Sequence, residues 1–109
     1  MTQLSLFAPP PDDPNIKWLE SLLESRAALL TAAQVLAAAG QDDADWRRRS
    51  VRALAQASDW IISGQRGYKH LAHATAEEAS HFVGWMESQA RLMTQRAERV
   101  RRNAHRIFG

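Results

Sequence analysis

The sequence predicts a mainly helical protein with one small β-hairpin and a long C-terminal helix. Three observations lead to this fold class. Apolar residues recur at helical spacing in several segments, a glycine-bounded loop follows a β-branched and aromatic run, and a Thr-x-x-Glu pattern opens a long final stretch. With 109 residues, the chain has room for one small domain and an arm.

Residues 1–12 are predicted to form a flexible N-terminal arm. Pro9, Pro10 and Pro11 separate the first residues from the first periodic segment and favour a stiff, extended spacer. A domain covering residues 13–109 is expected to follow, with its last helix as an extension.

The first helix is predicted to begin at Asp13-Pro14, which supplies a capping carboxylate followed by proline at the first helical position. Trp18 is expected at the edge of its apolar stripe. The stripe itself recurs at helical spacing and consists of Ile16, Leu19, Leu22, Leu23, Ala27 and Leu30.

A second, short helix over Ala32–Ala39 is predicted from the capping box of Thr31 with Gln34, and Gly40 should end it. Asp42 or Asp43 is then expected to cap a third helix that runs to about Ala57. Its inward face should carry Val51, Leu54 and Ala55, and Trp46 near its start is expected to be buried.

The hairpin is predicted from Trp60-Ile61-Ile62, the loop Gly64–Gly67 and a returning strand over 68–71. Thr75 with Glu78 forms a second capping box, which predicts a helix through about Ile107. The apolar residues between Phe82 and Met93 are expected to cover the first helix.

The second half of this last helix should project from so small a domain. It is rich in arginine, so contact with DNA phosphates is one alternative. A homodimer through this helix is favoured over it, because Val100 and Ile107 would otherwise be exposed.

Helix, helix, basic helix, hairpin and helix is the element order of a winged helix-turn-helix domain. The segment Leu29–Ala79 resembles winged-helix proteins of phages and mobile elements, in which a TAAQVLAA-like helix precedes an Arg-rich helix and an IISGQRGYK-like hairpin follows. The Trp among the arginines of DDADWRRRS departs from the commoner pattern. The resemblance implies that the third helix enters the major groove of duplex DNA and that the hairpin tip contacts an adjacent backbone or minor groove.

Candidate DNA-binding residues lie on the third helix and on the hairpin. Twelve of the fourteen Lys and Arg residues are Arg, whose planar fork suits phosphates and guanine edges. The alternative for the helix is a solvated face paired with Asp42, Asp43 and Asp45. The candidates are Arg47, Arg48, Arg49, Arg52 and Gln56 on the helix, with Gln65, Arg66 and Lys69 on the hairpin.

The arm carries the pentapeptide QLSLF, formed by Gln3, Leu4, Ser5, Leu6 and Phe7. At every position it resembles the peptide by which bacterial DNA polymerases and repair proteins bind the β sliding clamp. The resemblance implies that Gln3 is held by hydrogen bonds and that Leu6 and Phe7 fill a hydrophobic cleft. Its place on a terminal arm suits capture in an extended form.

The sequence favours a non-enzymatic protein without cofactor. It has no Cys, no glycine-rich phosphate loop and no His-Glu-x-x-His, and the spacing of His70, His73 and His81 does not indicate a metal site. We expect no membrane association and a cytoplasmic location, because no apolar run approaches spanning length and the chain lacks Cys.

Three functional hypotheses remain open. The favoured one is a double-stranded DNA-binding protein that acts at replicating DNA while tethered to the sliding clamp. The alternatives are a winged-helix transcriptional regulator or origin-binding protein without clamp binding, and a phage-type inhibitor that binds a host protein.

Overall fold

A computed structural model describes residues 9–10, 12–64 and 66–109. The fold is mainly helical, with a two-stranded antiparallel hairpin and a long C-terminal helix, which confirms the predicted fold class. The elements in chain order are α1 (Pro14–Ser25), α2 (Ala32–Ala38), α3 (Asp45–Ala57), β1 (Ile61–Gly64), β2 (Gly67–His70), a 3-10 turn (Leu71–His73) and α4 (Ala76–Phe108).

These elements group into two compact units. The first ends at Ala76 and contains α1, α2, α3 and the hairpin, and the second extends from Glu77 to Gly109. No helix in the described part of the chain combines the length and apolarity needed to cross a membrane.

Helix α1 begins as the sequence predicts but ends earlier than its apolar spacing suggests. Asp13 accepts a hydrogen bond from the Asn15 backbone N–H at 2.9 Å, and Pro14 occupies the first helical position. The helix ends at Ser25, so Leu30 lies beyond it in an isolated antiparallel bridge with Tyr68. Leu30 is buried through this bridge and not as part of a helical stripe.

Local signals also define α2. The Thr31 hydroxyl accepts from the Gln34 N–H at 3.1 Å, and the Gln34 side chain accepts from the Thr31 N–H at 2.8 Å, which confirms the capping box. Gly40 has φ of +70°, and its N–H donates to the Ala37 carbonyl at 3.0 Å. This left-handed residue ends the helix, one residue earlier than predicted, and turns the chain toward α3.

The core of the first unit forms where α1 packs on α3 and the hairpin, and where α2 packs on α3. Leu19, Leu23 and Val35 are its largest fully enclosed side chains. The buried cluster consists of Leu19, Leu23, Leu30, Val35, Leu36, Val51, Ala55 and Ile61, with Leu22, Leu54 and Tyr68 packed against it. Because α3 and β1 both contribute to this cluster, it holds the third helix and the hairpin in one body.

The hairpin is tight and touches the segment before α2. Gly64 pairs with Gly67 at the end of the two strands. Gly67 has φ of +139°, and a Cβ at this position would lie 2.2 Å from the Leu30 carbonyl oxygen. Glycine is therefore required here both by the backbone angle and by the close approach of the Leu30 backbone.

Helix α4 has the extent predicted from the sequence. It begins directly after Thr75 and extends 33 residues to Phe108. All of its residues are described, and none is buried. Among its apolar residues between Phe82 and Met93, Trp85 is 54% exposed and Met93 is 72% exposed. The buried cluster of the first unit is made entirely by residues between Leu19 and Ile61.

Replacing Gly67 with Ala should destabilise the first unit. The added Cβ would meet the Leu30 carbonyl at 2.2 Å in a backbone conformation unfavourable to side chains, so we expect the free energy of unfolding to fall by about 2–4 kcal/mol. Urea unfolding followed by circular dichroism measures this change. The control is Gly64→Ala, because a Cβ there has no neighbour within 4 Å and should change stability by less than about 1 kcal/mol. Equal effects of the two substitutions would contradict the close approach at Gly67.

Candidate nucleic-acid interface

Helix α3 has a buried face and an exposed polar face. Val51 and Ala55 are buried in the core. Arg49, Arg52 and Gln56 are exposed and follow a spacing of three and four residues, which places them on one side of the helix. Neither Arg49 nor Arg52 has an ion-pair partner among the described residues. Their guanidinium groups are therefore available to a ligand in solution.

Arg48 is engaged differently, although it is adjacent in sequence. Its Nε donates to Asp43 Oδ1 at 2.5 Å, and its Nη2 donates to Asp43 Oδ2. This two-bond pair matches the planar guanidinium to the carboxylate and links α3 to the loop before it. The predicted capping role of Asp43 is therefore wrong. Ala44 is the residue at the N-cap, and no side chain caps this end of α3.

Arg47 is also held by the loop before α3. Its Nη1 donates to the Asp42 carbonyl at 3.1 Å, and its guanidinium lies 4.7 Å from the centre of the Trp46 ring. Its Nε is buried and has no hydrogen-bond partner in the described part of the chain. Arg48 thus fits the alternative of a helix face paired with Asp42, Asp43 and Asp45, whereas Arg47 contacts the Asp42 backbone.

Trp46 is exposed to 58%, so its predicted burial is wrong. Its ring lies beside an open groove of about 630 Å³ between α1, α2 and α3, with Trp18, Leu36 and Leu54 among the lining residues. The indole instead provides the surface on which Arg47 lies.

The hairpin contributes fewer of the predicted residues. Arg66 is exposed at the tip, and Lys69 is half-buried on β2, paired in register with Ile62. Gln65 lies outside the described residues. So does the whole clamp-binding pentapeptide, Gln3 to Phe7.

Two histidines join the hairpin end to α1. The His70 ring is buried, stacks on Trp60 with ring centres 5.9 Å apart, and accepts from the Ala72 N–H through Nδ1 at 2.9 Å. Its Nε2 lies 3.7 Å from a Glu24 carboxylate oxygen, and His73 Nε2 lies 2.5 Å from the Glu24 carbonyl. In the described part of the chain, no group of three or more His, Asp or Glu residues could hold a metal ion. The sequence did not indicate the role of Glu24, because it is distant in the chain from both histidines.

The Asp43–Arg48 pair changes the titration of both groups. Hydrogen bonds from Arg48 are the main cause that lowers the pKa of the Asp43 carboxyl below its usual value; desolvation opposes them, and the positive charge of Arg48 adds to them. The same hydrogen bonds and the Asp43 charge raise the pKa of Arg48. Arg48 therefore stays charged and paired at neutral pH.

Comparison with known protein families, curated proteins and solved structures finds no significant match to this chain.

Replacing Arg48 with Gln should raise the pKa of Asp43 toward the usual value of about 3.9, because the hydrogen-bonding cation is removed. NMR titration of the side-chain carboxyl measures this shift. A lowered pKa in the folded protein means that the pair stabilises the fold above the unfolded pKa and that this stability is lost as pH falls through the folded pKa. Arg49→Gln serves as the control, since Arg49 does not contact Asp43. If both variants leave the Asp43 pKa unchanged, the pair does not form in solution.

Proposed function

We propose that this protein is a non-enzymatic, double-stranded DNA-binding protein that acts at replicating DNA, tethered to the bacterial β sliding clamp by its N-terminal peptide. One observation carries the DNA-binding part. Arg49, Arg52 and Gln56 share the exposed side of a helix whose other side is anchored in the core. A rigid helix with free arginines directed outward is what insertion into the major groove requires.

The surroundings of α3 support a winged helix-turn-helix geometry. The Leu36 carbonyl accepts from the Gln41 N–H at 2.8 Å, which closes the turn between α2 and α3. The bridge between Leu30 and Tyr68 ties the segment before α2 to the hairpin. A helix-turn-helix and a hairpin held by one core could bind DNA at two places together, α3 in the groove and Arg66 at the adjacent backbone.

The residues of α3 divide into two roles under this proposal. Arg49 and Arg52 bind phosphates or the O6 and N7 atoms of guanine, and Gln56 suits the N6 and N7 atoms of adenine. Arg47 and Arg48 act indirectly, because their hydrogen bonds to the loop at 42–43 fix the start of the helix. Preorganised contacts of this kind reduce the ordering cost of binding.

The clamp-binding part is supported by sequence alone. Leu4, Leu6 and Phe7 supply apolar surface for burial, and Gln3 supplies orientation. Neither the contact with the clamp nor the contact with DNA needs to be strong. Joining the two binding events makes the second one intramolecular, at an effective concentration on the order of millimolar.

The double variant Arg49→Ala, Arg52→Ala should weaken duplex binding and its dependence on salt. Loss of two phosphate contacts is expected to reduce the slope of log affinity against log salt by about 1.8 and to lower affinity roughly tenfold or more. Fluorescence anisotropy with a labelled duplex at several salt concentrations measures both quantities.

The matched control is Lys17→Ala, Arg26→Ala, which removes the same charge from exposed positions on and just after α1. If this control weakens binding as much as the α3 variant, general charge explains the affinity and α3 is not the contact. Circular dichroism of both variants verifies that the fold is kept.

The character of DNA binding separates the proposal from its rivals. Selection from random duplexes should return only weak sequence preference for a tethered protein, whereas a sharp palindromic consensus would favour a transcriptional regulator. Failure of the intact protein to bind any duplex at low salt would favour a host-protein inhibitor.

Titration of purified β clamp tests the arm. Leu6→Ala, Phe7→Ala should weaken clamp binding by at least about tenfold, because it removes the side chains expected to fill the cleft. Thr2→Ala, just outside the pentapeptide, should bind as the unmodified chain does. Equal affinity of all three proteins, or binding by none, would rule out the clamp tether. DNA affinity measured without clamp should be the same for all three, which keeps this test separate from that of α3.

A further inference from the structure

Helix α4 carries an unbroken apolar seam along its whole length. Its residues alternate at spacings of three and four, the a and d positions of a heptad repeat, and all ten positions are apolar. This seam consists of Ala76, Ala79, Val83, Met86, Ala90, Met93, Ala97, Val100, Ala104 and Ile107. A period of 3.5 residues sustained over the helix is typical of helices that pair in a left-handed coiled coil.

The larger side chains of the seam are exposed. Met93 and Ile107 are 72% and 73% exposed, and Val83, Met86 and Val100 are half exposed. An apolar stripe of this width is normally covered by another element. In α4, all of whose residues are described, no residue is buried. A helix of matching length and pattern would cover the seam.

We propose that the seam pairs with α4 of a second copy of this chain, with the two helices antiparallel and fully overlapping. Reversing one helix brings each a position opposite a d position. Ala76 then faces Ile107 of the second copy, and Ala90 faces Met93. Small residues lie opposite large ones in these layers, which lets the side chains interdigitate.

One further layer follows the same rule of size, since Met86 faces Ala97 of the second copy. Val83 faces Val100 at equal size, and Ala79 faces Ala104 in the one thin layer. A parallel pair would instead place Ala against Ala and Met against Met, so thin layers would alternate with thick ones. The antiparallel arrangement fills the space more evenly.

Charge favours the same orientation. The first part of α4 contains Glu77, Glu78 and Glu87 without Lys or Arg. The later part contains one acidic residue, Glu98, among the arginines Arg91, Arg96, Arg99, Arg101, Arg102 and Arg106. An antiparallel pair places the acidic part of each helix beside the basic part of the other, whereas a parallel pair places the arginines side by side.

The pairing of α4 does not depend on the proposed DNA function, but a dimer would contain two DNA-binding units. A helix of 33 residues is about 50 Å long at 1.5 Å per residue. The two copies of Ala76 would lie at opposite ends of the pair, each joined to its own α3-containing unit. Two DNA-binding units in one dimer would bind with higher avidity than one.

Sedimentation equilibrium of the full chain tests the association. Met93→Glu places a charge near the centre of the seam and should raise the dissociation constant of the dimer by about a hundredfold or more. Gln95→Glu is the matched control, since it adds the same charge on the opposite side of α4 and should leave the dimer intact. A monomeric unmodified chain, or equal effects of the two variants, would overturn the proposal.

Orientation is tested without changing the seam, because the chain has no Cys. Gln95→Cys and Arg102→Cys each provide one site for a spin label on the outer side of α4. In the antiparallel dimer, equivalent labels are offset along the axis by roughly 10 Å at position 95 and roughly 30 Å at position 102. Pulsed electron paramagnetic resonance should therefore give the longer distance for Arg102→Cys, and equal distances would mean a parallel pair and overturn the assignment.

Discussion

The backbone pairing between Leu30 and Tyr68 is the constraint on which the first unit depends. The two residues exchange hydrogen bonds of 2.9 and 2.8 Å, and this exchange joins the segment before α2 to the returning strand of the hairpin. Burial of Leu30 follows from the pairing, and so does the requirement for glycine at position 67. Because α2 starts at Ala32, immediately after this bridge, the position of α2 is set by the hairpin as well as by the core.

The arginines of α3 show how one basic cluster can serve two purposes. Arg48 is held by the Asp43 carboxylate and Arg47 by the Asp42 carbonyl, while Arg49 is left exposed on the other side of the helix. The Arg48–Asp43 pair neutralises charge near the helix start, and both contacts link α3 to the loop before it. The proposed contact with DNA thus depends on fewer arginines than the composition implies, each held on a helix that is rigidly packed.

The two units use apolar surface in different ways. In the first, Leu19 and Leu23 are fully enclosed by neighbours from α3 and the hairpin. In the second, a single helix carries a continuous apolar seam, with Met93 and Ile107 open to solvent. A lone amphipathic helix cannot enclose its own seam, and in the proposed dimer a second copy would cover it.

Much of the fold was determined by the sequence acting locally. The Asp13-Pro14 start, the Thr31–Gln34 capping box, the stop at Gly40 and the hairpin all depend on hydrogen bonds or backbone angles among near neighbours, and short patterns report these well. The outward placement of Arg49 and Arg52 was predictable from helical periodicity for the same reason.

Only the tertiary structure decided the remaining features, because they depend on residues far apart in the chain or on competition between partners. Leu30 continues the helical spacing of α1, yet it pairs with a strand 38 residues later. Asp43 has a side chain of the type that caps helices, but the Arg48 guanidinium donates two hydrogen bonds to it. Trp46 was predicted to be buried because of its chemistry, but burial also needs a partner surface, and the core of the first unit forms without it.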